Sequence, residues 1–173
     1  MRKAFLLFSL AFVVAITVTA QAYEDKIQYD KDKQVAVAVD YSFREEALEN
    51  AFIERMRKLG YKPKEEKGFL NRDKGFLVFR NAHVPDISKD KMDYIIKVEK
   101  KNKKATNESV LYLVILNNEV NVIASMSNSD IAKTKKFLNN LLPDVEAAEL
   151  ELQIRDAEQS LTDAEKKLRT LQG

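Results

Sequence analysis

Residues 34–61 read QVAVAVDYSFREEALENAFIERMRKLGY, and the change of period inside this one stretch sets the fold class. From Gln34 to Asp40 valine alternates with alanine, the period of a strand with one bulky buried face. From Leu48 the period becomes helical, with Leu48, Phe52, Met56 and Leu59 on one apolar face. Ser42 and Glu45 have the spacing of a capping box, with Glu46 adding charge to the first turn. Gly60 stands where a C′ glycine ends a helix, and Tyr61 where the hydrophobic contact after it falls.

Downstream, apolar runs and turn signals alternate. Lys67–Leu70 and Phe76–Arg80 flank Asn71–Gly75, a hairpin pattern. Tyr94–Val98 reads as another strand, and the near-continuous apolar run Val110–Leu116 as a central one. After a turn at Asn117–Asn118, Val120, Val122 and Ala124 alternate along an expected partner strand. Ser127 or Ser129 caps a second helix that buries Ile131, Phe137, Leu138, Leu141 and Leu142. The expectation is an α+β fold: an antiparallel sheet of about five strands in strand–helix–strands–helix order, helix-grip-like. Pro143 is expected to bend or break the second helix and to close the globular part.

Beyond it, Leu150, Ile154, Ala157, Leu161, Ala164, Leu168 and Leu171 recur at alternating steps of four and three. This is a heptad seam, with Ile154, Leu161 and Leu168 at a, and Leu150, Ala157, Ala164 and Leu171 at d. A lone helix of this composition is marginal in water, so a second helix is expected: a second copy, another protein or its own domain. Alanine at d permits close approach and suits a tight pair, parallel or antiparallel. The competing reading folds an amphipathic helix back onto the sheet.

The other end of the chain looks like an export signal. Arg2 and Lys3 precede the uncharged stretch Ala4–Val18, and Ala20-Gln21-Ala22 matches a cleavage site. The segments expected are therefore a signal at 1–22, a globular domain at 23–143 and a coiled-coil arm at 144–173. The apolar run is short for a membrane span. The chain has no cysteine, which excludes a lipid anchor through cysteine, disulfide staples, thiol catalysis and thiolate metal sites. The expected location is the periplasm or another part of a bacterial cell envelope.

The chain carries 29 basic and 27 acidic residues, and removing Arg2 and Lys3 leaves 27 of each. An exported neutral protein is not a nucleic-acid binder. Eight acidic and four basic residues lie in 144–173, so residues 23–143 carry a net +4 against −4 for the arm.

Catalytic groupings are sparse. His83 is the single histidine, at a strand end; the sequence holds no P-loop, G-x-S-x-G or dinucleotide fingerprint. Glu65-Glu66 and Asp86, Asp90 and Asp93 are local carboxylate clusters that read as solvated surface. Lys97, Lys100, Lys101, Lys103 and Lys104 form a basic group suited to an acidic partner or to peripheral contact with anionic lipid, or else to blunting a sheet edge. Phe69, Phe76, Phe79, Tyr94, Tyr112 and Phe137 are the aromatics that a carrier of a small apolar ligand would use, or that fill a core. No cofactor, metal or catalytic residue is expected.

From Val39-Asp40 through Ser42, Leu59-Gly60-Tyr61 and Phe76–Phe79, the pattern resembles the helix-grip class and, within it, the small domains of BamC-type envelope proteins. The whole chain also looks like uncharacterised exported bacterial proteins that join such a domain to a coiled coil. The resemblance assigns no activity and no functional residue; the export signal and the unpaired heptad seam lead to the expectation of a non-catalytic envelope or periplasmic interaction or assembly protein, its domain binding a partner and its arm oligomerising or spacing it.

Overall fold

A computed structural model describes residues 21–29, 32–63, 75–102, 104 and 106–172. The expected strand Lys67–Leu70 and all of its turn but Gly75, most of the expected signal, Glu65, Glu66, Phe69 and Lys103 lie outside the described residues.

The fold is α+β. Strands β1 (Tyr23–Tyr29) and β2 (Asp32–Tyr41) precede helix α1 (Glu45–Lys58). Strands β3 (Phe76–His83), β4 (Lys91–Lys100), β5 (Ser109–Asn117) and β6 (Val120–Asn121) follow, then helices α2 (Asn128–Asn139) and α3 (Leu142–Gln172). The sheet is antiparallel in the order β1-β2-β5-β4-β3, with β6 also on β5. The apolar run 110–116 is central, as its hydrophobicity on both faces requires.

Alternation along the strands feeds two apolar layers. Val37, Val39, Phe79, Tyr94, Ile96, Leu111, Leu113 and Ile115 face the helices and form the main core with Phe52, Met56 and Leu138. On the other face Ile27, Ala36, Val78, Ile95 and Val114 form a smaller cluster. There Tyr29 and Phe76, from the two outermost strands, meet edge to face with centroids 5.0 Å apart, so the sheet curls toward that side. The curl is thus away from the helices.

Three local expectations are corrected. β1 is not legible in the sequence: YEDKIQY is an edge strand with one buried apolar residue, Ile27, and too little alternation to announce itself. Next to it Ala22 is buried in the full chain, its N–H donating to Asn139 Oδ1 at 2.8 Å. The Ser42 capping box does not form: α1 starts after Arg44, with no side-chain cap bond. Tertiary contacts fix that corner instead, the Ser109 hydroxyl donating to the Phe43 carbonyl at 2.7 Å. The partner strand at 120–124 is only two residues long before a 3₁₀ turn at Ile123–Ser125. Asn121 explains why, because its side-chain amide donates to the Val35 carbonyl at 2.8 Å and its Oδ1 accepts from the Ile123 N–H, turning the chain.

Other local readings hold. Gly60 has φ +90°, with Tyr61 N–H donating to Met56 O and Gly60 N–H to Arg57 O, both at 2.9 Å, a Schellman end. Ser127 caps α2, its Oγ accepting from the Asp130 N–H. α2 ends at Asn139, and Pro143 sits in the first turn of α3, where its missing N–H has no partner to lose.

Candidate functional site

α3 is 31 residues long, about 46 Å at 1.5 Å per residue, and its two halves live in different surroundings. In the first half Val145, Ala148 and Leu152 are buried in the main core against α1. From Gln153 onward every described side chain is exposed.

The buried stripe occupies the b and f positions of the heptads, not the seam. At about 100° per residue, the seam lies roughly 160°, nearly half a turn, round the helix from Val145, Ala148 and Leu152. Leu150 is 58% exposed, Ile154 51%, Leu161 62%, Leu168 55% and Leu171 85%, and Ala157 and Ala164 are exposed with them. The helix therefore does fold back on its own domain, but with a different face, and the seven seam residues remain open along its length. Large exposed aliphatics at regular spacing are the mark of a contact surface.

Ion pairs hold α3 antiparallel to α1. Arg44 forks onto Glu149, with Nε and Nη2 donating at 2.9–3.1 Å, and reaches Asp156 with Nη1 at 2.7 Å. Arg155 returns the contact to Glu46 at 2.8 and 3.2 Å. At the far end of α1, Arg55 and Lys58 converge on Asp144, Lys58 at 3.1 Å, and Arg55 also donates to the Asn140 carbonyl at 3.0 Å. Burial alone would raise the Asp144 and Glu149 carboxyls; hydrogen bonds from Arg55 and Lys58, and from Arg44 and Gln153, outweigh it and hold both below the usual carboxylate range. Half-buried Glu49 on α1 goes the other way, raised first by burial and then by Glu46 and Glu45. This clasp was not identified from the sequence, although the +4 domain and −4 arm are its signature.

Beside the clasp, a groove of about 480 Å³ runs between α1 and α3, lined by Ile53, Glu54, Arg57, Asp144, Ala147 and Glu151 among others. Ala147 is itself an a position, so the groove opens onto the start of the seam.

The remaining sequence candidates do not converge. Lys97 lies over the Phe76 ring at 5.1 Å and pairs with Glu99, while Lys101 pairs with Asp40 at 2.7 Å. Lys100 and Lys104 are exposed. Half of the described lysines in that group are thus already matched to carboxylates. The aromatics divide between the two faces of the sheet: Phe79, Tyr94 and Phe137 are buried under the helices, and Phe76 and Tyr112 pack on the opposite cluster. Burial pushes the Tyr94 hydroxyl up to about 12, as it does for a core tyrosine. The His83 backbone N–H donates to the Tyr61 hydroxyl at 3.0 Å. Asp93 accepts from the Asn81 N–H at 2.6 Å, and Asp86 and Asp90 are exposed. Among the described residues no group of histidine and carboxylate side chains is placed to hold a metal, and no helix is long and apolar enough to cross a membrane.

No protein-family model, curated protein or solved structure matches this chain.

Proposed function

We propose that this chain is a non-catalytic assembly protein of the bacterial envelope, in which the α+β domain anchors and aims an arm that pairs with a second copy. One observation carries the reading. α3 is fastened to its domain through buried b and f positions, so docking leaves the a and d seam unspent and pointing away. Had the seam been the docking face, the helix would be an ordinary part of the core. Export is supported by Arg2-Lys3, the apolar stretch 4–18 and the small residues at 20–22.

The test is the solution mass of the exported chain beside Leu161→Asp, by light scattering over a concentration series. Leu161 is solvent-exposed in the single chain, so the variant keeps the fold. An unpaired carboxylate in an apolar seam costs roughly 3 kcal/mol or more, so pairing is expected to weaken at least ~100-fold. A chain that is monomeric at all concentrations, or an oligomer indifferent to Leu161→Asp, overturns the reading.

A further inference from the structure

Resting on that reading, we propose that the two arms pair antiparallel, in the register that sets Ala157 against Leu161 of the second copy. The seam alternates large and small residues, and the two orientations use that alternation differently. In a parallel pair each residue meets itself. Ala157 and Ala164 would then form two empty layers between the wide layers of Ile154, Leu161 and Leu168, a sequence of bulges and voids. In an antiparallel pair a positions face d positions. Ala157 then meets Leu161, Ile154 meets Ala164 and Leu150 meets Leu168, each twice by symmetry. All seven seam residues are used, and only the Leu150–Leu168 layers are large against large.

The same register carries Leu171 of the second copy to Ala147, at the mouth of the groove between α1 and α3. The seam and the groove thereby form one continuous surface, and the tip of one arm seats against the domain of the other. The domains lie at opposite ends of the paired arms.

Charge opposes this orientation slightly. The e positions are Glu151, Glu158 and Glu165, and antiparallel pairing brings Glu158 beside its own copy and Glu151 beside Glu165. A parallel pair would set each e position against the g position five residues earlier, Glu151 near Glu146, Glu158 near Gln153 and Glu165 near Ser160, with fewer like charges opposed and no opposite charges gained. Exposed like-charge contacts are weak and screened, whereas an unfilled layer loses the packing of two side chains, so packing decides.

The cysteine-free chain allows a direct test by disulfide trapping. Ala157→Cys and Leu161→Cys, one carrying a mass tag, are mixed and oxidised. The mixed disulfide is expected to form about tenfold faster than either homodimeric one, because only that pair comes within bonding reach. Fast Leu161→Cys homodimer would show parallel pairing, and preferential trapping of Leu161→Cys with Ala164→Cys a shifted register; either overturns this inference while leaving self-association standing. Glu158→Gln gives an independent readout, a dimer tightened about twofold or more if Glu158 meets its own copy. An unchanged dimer counts against the antiparallel arrangement. A chain that stays monomeric in light scattering sinks the underlying reading instead.

Discussion

Glu119 has φ +65° and follows Asn118 at φ +48°, so the two form the tight turn from β5 to β6, with Asn117 paired to Val120. Both central residues of such a turn need the left-handed region, which asparagine tolerates and glutamate does not. Glu119→Gly is expected to stabilise the fold by about 1 kcal/mol, read as a rise in urea midpoint with unchanged slope. The turn was legible as Asn117-Asn118, one residue early, because the sequence shows which residues accept φ > 0 but not where register places them. Glu49 teaches the complementary point. Its folded pKa is raised, so its charged form destabilises the protein at neutral pH and the penalty disappears in acid. Glu49→Gln should raise the thermal midpoint at pH 7 and make no difference below about pH 4, where the carboxyl is protonated in both states. A glutamate in the first half of a helix looks favourable in sequence, and only the packing around α1 reverses its sign.

At the scale of the element, α3 separates two kinds of apolar residue that the sequence presents together. Leu152 is 3% exposed and Ile154 51% exposed, two positions apart on one helix. Leu152→Ala should cost about 2–3 kcal/mol of domain stability and leave pairing unchanged. Ile154→Ala should leave the isolated domain as stable as before and weaken the pair. Denaturation at low concentration and sedimentation at high concentration separate the two effects. The clasp adds a pH dependence with a defined sign. Asp144 and Glu149 have folded pKa values below their ordinary ones, so their contribution is complete only above about pH 5 and is lost as pH falls through the ordinary and then the folded values. Acid should therefore loosen α3 from α1 before the sheet melts, visible as exchange of α3 amides ahead of those of β5. The heptad seam was fully readable at this scale, and the docking stripe was not. Val145, Ala148 and Leu152 are three apolar residues in a helix whose stronger period lies elsewhere, and their partners sit about a hundred positions earlier.

For the whole molecule, the proposed self-association would tie stability to concentration. If the arms pair, the thermal midpoint of the arm rises with protein concentration, while the sheet's own transition stays fixed. A cut at Pro143, where composition changes, would strip Val145, Ala148 and Leu152 from the core and damage the domain that it was meant to isolate. The sequence by itself determined the α+β class, the strand and helix of residues 34–61, the central β5, the Schellman end at Gly60 and the heptad seam. Each of these rests on local periodicity or on the conformational limits of a single residue type, and such signals are written in adjacent positions. Tertiary structure alone decided the edge strand β1, the curl of the sheet away from the helices, the start of α1 at Glu45, and the face by which α3 docks. Those depend on pairings across the chain, such as Arg44 with Glu149 and Ser109 with Phe43, whose free energy belongs to no single segment.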